Sequence, residues 1–206
     1  MFITLEGSEG CGKTSLMPLL ADDLTALGYQ VLKTREPGGT SIGDQVRAIL
    51  ADFKNTDMLP RSEVLLFQAS RAQLVEQVIR PALARGDIVL SDRFAESTIA
   101  YQGYGHQLNI DLVRSIVEFA TGGLKPDLAL FLDVDVEEGL RRKDAGGDRN
   151  RLDTFDLSFY QRVRQGYLDM VNAEPQRWVV IDANGTQEEV RGEVRKVVLE
   201  RLAGNQ

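Results

Sequence analysis

A glycine-rich loop near the start of the chain fits the pattern G-x-x-x-x-G-K-[ST] at every position. An apolar run at residues 2–5 precedes the loop and a helical pattern over residues 13–27 follows it, which is the setting that a phosphate-binding loop requires. The glycines let backbone N–H groups surround an anion, and the helix N-terminus adds a partial positive charge. We therefore expect a nucleotide-binding α/β protein. The loop consists of Gly7, Ser8, Glu9, Gly10, Cys11, Gly12, Lys13 and Thr14.

Short apolar runs alternate with helical patterns along the rest of the chain. The runs are rich in Val, Ile, Leu and Phe, which is typical of strands covered on both faces. Because each strand is followed by a helix, we expect a parallel sheet with right-handed crossovers and ligands at the carboxyl ends of its strands. Strands are predicted at residues 2–5, 31–33, 88–90, 128–132 and 178–181. Helices are predicted at residues 13–27, 41–51, 61–85 with a kink or break at Pro81, 110–121, 136–143, 155–171 and 188–202, and a loop at 144–150.

Composition excludes several classes of protein. A chain of 206 residues is by default one domain. Cys11 and His106 are the only cysteine and histidine, which excludes a disulfide framework, a thiolate zinc cluster and a metal site of several histidines. The net charge of −7 argues against non-specific nucleic-acid binding. Neither a membrane span nor a signal peptide is predicted, so we expect a cytoplasmic enzyme or ATPase.

An acid and an arginine directly follow the third predicted strand. Beside a phosphate loop, Asp92 is placed to hold Mg²⁺ directly or through water, and Arg93 to point at a phosphate; a surface ion pair is the alternative. The Asn-Lys-x-Asp segment by which GTPases read guanine does not occur in the sequence. Motor and helicase ATPases are normally larger, so a small-molecule kinase fits best.

Six motifs in the same order make the chain resemble bacterial thymidylate kinases over essentially its whole length. They are residues 7–14, 34–40, 65–71, 91–94, 100–105 and 149–153. The resemblance implies a three-layer phosphate-loop kinase fold, with a five-stranded parallel sheet, helices on both faces and a short lid. It implies one nucleoside-monophosphate kinase domain over residues 1–206, with the lid at about residues 142–153. It also implies a homodimer packed through helices.

The activity implied by the resemblance is phosphorylation of dTMP to dTDP with ATP and Mg²⁺, in the synthesis of dTTP for DNA replication. Phosphoryl transfer depends on positioning and charge neutralisation. The acceptor phosphate is mostly a dianion at neutral pH, so no histidine base is needed. Arginines must hold the two repelling phosphates together, because a guanidinium can bind phosphate bidentately. The candidates are Arg35, Arg47 and Arg93, although the pattern alone equally allows Arg47 to lie on a solvated helix face.

Phe67 and Arg71 are four residues apart and share one face of a predicted helix. Periodicity alone favours a core position for Phe67. The resemblance implies instead that Phe67 stacks on the base and that Arg71 donates to thymine O4. It further implies base contacts for Thr98 and Gln102 and a position near the sugar 2′ carbon for Tyr101. For Glu9 it implies a position near the acceptor 3′-hydroxyl and the metal shell, and Glu36 is expected to be structural or part of the acceptor or metal environment.

The phosphate loop and the lid are expected to bind ATP, the phosphoryl donor. Lys13 is expected to reach the β- and γ-phosphates, and Thr14 with Asp92 to organise Mg²⁺. The glycine-rich segment at residues 144–153 is expected to close over ATP and exclude water. The predicted catalytic residues are Lys13, Asp92, Arg93, Arg149 and Arg151, and Arg142 joins the loop in binding ATP. Which lid arginine stabilises the transferring phosphoryl group stays open, and His106 is expected to be a surface residue without a role.

Two alternatives remain. Another nucleoside-monophosphate or deoxynucleoside kinase of the same fold would differ in its preferred acceptor. A nucleotide-binding switch would bind and slowly hydrolyse ATP or GTP without stimulation by any acceptor.

Overall fold

Five parallel strands form the centre of the molecule in a computed structural model that describes residues 1–147 and 150–204. Their order across the sheet is β2-β3-β1-β4-β5, and all four neighbouring pairs are parallel. The strands are β1 (Phe2–Glu6), β2 (Val31–Arg35), β3 (Ile88–Asp92), β4 (Leu128–Asp133) and β5 (Trp178–Asp182). Each contains its predicted run and extends one or two residues further, so the polar residues that end β1, β2 and β3 lie at one edge of the sheet.

Helices cover both faces of the sheet, which confirms the predicted α/β fold. They are α1 (Lys13–Ala26), α2 (Ser41–Ala51), α3 (Pro60–Leu74), α4 (Arg80–Ala84), α5 (Ala95–Thr98), α6 (Ile110–Thr121), α7 (Val136–Gly146), α8 (Leu157–Ala173) and α9 (Gln187–Ala203). Two π-helical segments, Val75–Ile79 and Ile99–Gly105, and a short 3₁₀ helix, Arg151–Asp153, complete the described part. Among the described residues, the helices are too short or too polar to cross a membrane.

Alternating side chains of β1 explain the three layers. Ile3 and Leu5 point to one face, where α1 and α9 pack against the sheet. Phe2 points to the other face and packs edge-on against Phe94, with ring centroids 4.9 Å apart. Because both of their faces are buried, the inner strands β1 and β4 read as nearly continuous apolar runs, whereas the edge strands β2 and β5 have exposed positions.

Side-chain caps fix where five of the helices begin. In each case a side-chain oxygen accepts a hydrogen bond from a backbone N–H of the first turn. A cap of this kind stabilises a helix by about 1 kcal/mol. The capping residues are Thr40, Asn109, Asp135, Asp156 and Thr186.

Three local predictions need correction. The predicted loop at 144–150 begins too early, because α7 continues through Gly146 and ends where Gly147 adopts a left-handed conformation with φ of 76°. The predicted helix at 61–85 is interrupted before Pro81 by the π-helical segment Val75–Ile79. Helix α5 and the segment Ile99–Gly105 were not predicted, because glycines weaken the helical pattern there. Helix α5 packs against α6, and the segment packs against both α6 and α8.

Candidate active site

A cleft of about 610 Å³ opens at the carboxyl edge of the sheet. The phosphate loop, the ends of β2 and β3, helices α2 and α3 and the segment Ile99–Gly105 form its walls. Most residues predicted for the site line this cleft. They are Glu9, Gly10, Gly12, Lys13, Thr14, Arg35, Glu36, Arg47, Phe67, Arg71, Asp92, Arg93, Thr98, Tyr101, Gln102 and Arg142. Gly7, Ser8 and Cys11 belong to the same loop but do not line the described part of the cleft.

The phosphate loop depends on close backbone packing. A Cβ atom at Gly10 would lie 1.9 Å from the carbonyl oxygen of Gly139, and Gly10 has a left-handed φ of 70°. Lys13 is buried and its Nζ donates to the carbonyl oxygens of Gly7 and Ser8, each at 3.0 Å. The lysine therefore lies across the loop, where it can exchange these carbonyls for phosphate oxygens.

Thr14, in the first turn of α1, meets Asp92, the last residue of β3. The Thr14 hydroxyl donates to Asp92 Oδ2 at 3.4 Å. The described residues contain no group of three or more His, Cys, Asp or Glu side chains arranged to hold a metal. A hydroxyl and a single carboxylate fit Mg²⁺, which is usually bound by one or two protein oxygens together with phosphates and water.

Three arginines of the cleft form a group that we call the phosphate half: Arg35, Arg47 and Arg93. Burial is the main cause that lowers the pKa of Arg47. The like charges of Arg35 and Arg93 lower it further. Arg47 Nη1 donates to the carbonyl oxygen of Pro37 at 3.0 Å, and an exposed ion pair joins Arg35 to Asp44 at 3.8 Å. Mutual repulsion at this group favours an anion between the arginines.

Arg93 is held more tightly than the other two arginines. Its Nη2 donates to Glu9 Oε1 at 2.8 Å and to the Tyr101 hydroxyl at 3.0 Å, and the Tyr101 hydroxyl donates to the same Glu9 oxygen at 2.8 Å. Burial raises the pKa of Glu9, but the charges of Arg93 and Lys13 outweigh it and lower the pKa below its ordinary value. Glu9 is therefore a carboxylate that orients Arg93 and Tyr101 at the cleft wall.

The opposite end, which we call the base half, consists of Phe67, Arg71, Thr98 and Gln102. Phe67 is partly exposed in the cleft and does not belong to the hydrophobic core, so stacking is open to it. Arg71 is only 1% exposed. All five of its N–H groups donate to protein acceptors: two to Glu36, and the others to Gln68, Thr98 and the carbonyl oxygen of Phe94.

Glu63 is a buried residue of the cleft that the sequence reasoning missed. It lies four residues before Phe67 on α3, so the spacing that singled out Phe67 could have found it. Its carboxylate accepts from Gln102 Nε2 at 2.9 Å and from Arg151 Nη2 at 2.6 Å. Burial raises the pKa of Glu63, but hydrogen bonds from His106, Arg151 and Gln102 outweigh it and lower the pKa. Gln68 and Ser97, which hold Arg71 and Arg93, were missed as well.

The prediction that His106 is an unengaged surface residue is wrong. Its side chain is 16% exposed and lies 3.2 Å from Glu63 Oε1. The ring packs edge-on against Phe155 and Phe159, with centroid distances of 5.0 Å to each. These partners could not be predicted locally, because they come from α3, from α8 and from the residues just before α8.

The predicted lid arginines have different positions. Arg142 lines the cleft and donates to the carbonyl oxygens of Ala183 and Asn184, at 2.8 and 3.0 Å. Arg151 does not line the described part of the cleft; its side chain is buried and donates to Glu63 and to the carbonyl oxygen of Leu50. Arg149 lies outside the described residues.

Comparison with known proteins agrees with this geometry. The family model for thymidylate kinase matches residues 5–194. The thymidylate kinase of Deinococcus radiodurans is 49% identical over 98% of this chain and 97% of its own length, and that of Geotalea daltonii is 47% identical over 99% of both. A crystal structure of thymidylate kinase from Ehrlichia chaffeensis superposes with a TM-score of 0.81 at 36% identity, covering 96% of this chain and 98% of that one. The chain belongs to the thymidylate kinase family.

Proposed function

We propose that the cleft binds ATP with Mg²⁺ at the phosphate loop and dTMP between the phosphate half and the base half. As a member of its family the chain is an enzyme that phosphorylates dTMP to dTDP with ATP as donor. The bond between the γ-phosphorus and the β,γ-bridging oxygen breaks, and a bond from the γ-phosphorus to a phosphate oxygen of dTMP forms. Because that oxygen already carries charge at neutral pH, no general base is required.

On the donor side, Lys13 and the backbone N–H groups of the loop hold the phosphates of ATP. Thr14 and Asp92 would hold Mg²⁺, which would neutralise the charge that develops on the phosphates. Support comes from the 3.4 Å contact between these two side chains and from the position of Lys13 across the loop.

The acceptor phosphate lies among Arg35, Arg47 and Arg93. The single observation that carries this assignment is that three arginines line one part of the cleft. Burial and the like charges of Arg35 and Arg93 also lower the pKa of Arg47 there. A phosphate dianion relieves that repulsion, and each guanidinium can supply charge-assisted hydrogen bonds.

The base stacks on Phe67 and is read by polar groups of the base half. A contact from Arg71 to thymine O4 requires one of its present acceptors to be exchanged, and Nη1, which serves both Gln68 and Thr98, is the group we assign. Gln102 faces the base, Tyr101 and Glu9 face the sugar, and Glu36 holds Arg71 in place.

A lid at about residues 142–153 closes over ATP, and residues 1–206 act as one domain. Because Arg151 is engaged with Glu63, we assign stabilisation of the transferring phosphoryl group to Arg149. Arg151 then anchors the end of the lid, and Arg142 borders the ATP site.

A homodimer packed through α3 and α6 is part of the proposal. These helices pack side by side and expose large apolar side chains: Leu65 is 58%, Leu112 64% and Phe119 88% exposed. A second copy would cover them. A cytoplasmic location stays a prediction, in keeping with ATP and dTMP as substrates.

The test is release of ADP from ATP and Mg²⁺ with dTMP, dUMP, TMP, GMP, AMP, CMP and thymidine offered separately. We expect strong stimulation by dTMP, with dTDP as the product. Preference for another nucleotide would overturn the base half as a thymine pocket, and no stimulation by any acceptor would overturn the kinase assignment.

A further inference from the structure

Three buried side chains adjoin Arg93 and are not assigned to either substrate: Glu6, Ser97 and Tyr167. Ser97 Oγ donates to Glu6 Oε2 at 2.7 Å, and the Tyr167 hydroxyl lies 2.8 Å from Ser97 Oγ and 3.1 Å from the same Glu6 oxygen. Glu6 and Tyr167 are fully buried and Ser97 is 8% exposed. Buried polar groups are normally hydrogen-bonded, and these three bond to one another.

The direction of the hydrogen bonds points to Arg93. Because the single hydroxyl proton of Ser97 goes to Glu6, the Ser97 oxygen is free to accept, and Arg93 Nη1 donates to it at 3.2 Å. Arg93 Nη1 also lies 3.5 Å from the Tyr167 hydroxyl. The sequence of donors therefore runs from Arg93 through Ser97 to Glu6.

The remaining bonds fix the rest of the guanidinium. Nη1 donates to the carbonyl oxygen of Gly7 at 2.9 Å, and Nη2 donates to Glu9 and Tyr101. Among the described residues, no acceptor is bonded to Nε–H of Arg93. Protein contacts thus hold the two amino groups and leave the Nε–H for another ligand.

The backbone of Arg93 is strained in a way that needs support. Its φ is +70°, in the left-handed region, directly after β3. A non-glycine residue is disfavoured there and persists only where its surroundings hold it. Arg93 N donates to Leu5 O at 3.0 Å and Ser91 Oγ donates to Arg93 O at 2.7 Å, so both backbone groups are fixed.

We propose that Glu6, Ser97 and Tyr167 are positioning residues that orient the Arg93 guanidinium toward the phosphate of dTMP. This inference rests on the proposed function, in which Arg93 binds that phosphate. Glu6 and Tyr167 do not line the described part of the cleft and act through Arg93. Ser97 does line the cleft, so direct contact with the substrate is the alternative that the double variant with Arg93→Ala tests.

Glutamine at position 6 provides a matched control. Burial and the nearby Glu96 raise the pKa of Glu6 to about 8, against the hydrogen bonds of Ser97 and Tyr167 and the charge of Arg93. The carboxyl is therefore largely uncharged at neutral pH. Glu6→Gln keeps an oxygen that accepts from Ser97 and Tyr167 and replaces the second oxygen, Oε1, which is buried without a partner among the described residues.

The experiment compares the dissociation constants of dTMP and thymidine, which differ by the phosphate. We expect Ser97→Ala to weaken dTMP binding about 5- to 10-fold and Tyr167→Phe about 2- to 5-fold, as loss of one hydrogen bond predicts. Thymidine binding should stay within about 2-fold in both, because an effect through Arg93 reaches only the phosphate. Glu6→Gln keeps the oxygen that accepts from Ser97, so it should weaken dTMP binding less than Ser97→Ala does. Equal weakening of dTMP and thymidine, or no weakening of either, overturns the proposal.

Arg93→Ala separates this inference from the proposed function. If Arg93→Ala fails to weaken dTMP selectively, the assignment of Arg93 to the phosphate is wrong. If it weakens dTMP selectively while Ser97→Ala and Tyr167→Phe do not, only the positioning role is wrong. In the Arg93→Ala background, Ser97→Ala should cause no further loss; a loss that persists would mean that Ser97 contacts the substrate directly.

Discussion

Arg71 and Arg47 line the same cleft, yet their surroundings differ. Every N–H group of Arg71 donates to a protein acceptor, and its charge is matched by the buried carboxylate of Glu36. Within the described part of the chain, Arg47 makes one hydrogen bond, to the carbonyl oxygen of Pro37, and it faces the like charge of Arg35. Arg71 is thus part of a satisfied hydrogen-bond network, whereas Arg47 faces positive charge that an anion would relieve.

Loss of Arg71 should have the largest effect, and it should appear in stability. Arg71→Ala leaves Glu36 as a buried charge without its partner, which costs about 3–5 kcal/mol. Urea unfolding without ligand measures this cost.

Arg85→Ala is the matched control for that measurement. It removes an arginine that is 60% exposed and paired with Asp87, and we expect a change below about 1 kcal/mol. Equal stability of the two variants would contradict the account of the base half. Combining Arg71→Met with Glu36→Gln should recover part of the loss, since both members of the pair are then neutral.

Loss of Arg47 should weaken substrate binding without lowering stability. Arg47→Ala is expected to raise the KM for dTMP about 10- to 100-fold, because hydrogen bonds to a charged ligand are lost. The free energy of unfolding should not fall, since the substitution removes like-charge repulsion from Arg35. Steady-state kinetics and urea unfolding measure the two quantities.

The exposed Arg61 of α3 serves as the control for Arg47. Arg61→Ala should change neither KM nor stability. If Arg47→Ala destabilised the free protein as strongly as Arg71→Ala, the contrast between the two halves would be lost.

Glu6, beside the phosphate half, gives a stability effect that builds up gradually with pH. Its pKa rises from 4.5 to about 8 on folding, so between these values the folded protein holds a proton that the unfolded chain has lost. Stability then falls as pH rises through that window, by up to about 1 kcal/mol per pH unit. Glu6→Gln removes this slope, so its stability relative to the parent should increase from pH 5 to 8 and level off above. If the free energies of unfolding of Glu6→Gln and the parent differed by the same amount at every pH, Glu6 would not titrate in this way.

Much of the fold and part of the site could be predicted because local patterns determine them. The phosphate loop needs its glycines and lysine at fixed spacing, and the apolar runs fix five strands that place Glu6, Arg35 and Asp92 at one edge. Helical spacing places Phe67 and Arg71 on one face of α3, and the family resemblance, not the spacing, pointed to the base.

The partners of these residues could not be predicted from local patterns. Arg71 is held by residues from the ends of β2 and β3, from α3 and from α5, and no spacing along the chain brings these groups together. Likewise, the charge of Arg151 and its place in the predicted lid suggested that it acts at the ATP site. The buried carboxylate of Glu63 determines its actual orientation.

Binding of dTMP and thymidine to the parent protein and to Arg47→Ala, each at low and high salt, tests the division of the cleft most directly. Salt screens exposed charge but not base stacking. We predict that dTMP affinity falls with salt and falls about 10-fold or more in Arg47→Ala, while thymidine affinity changes little in either case. If salt and Arg47→Ala weaken thymidine as much as dTMP, the arginine group does not hold the phosphate and the division between the two halves is wrong.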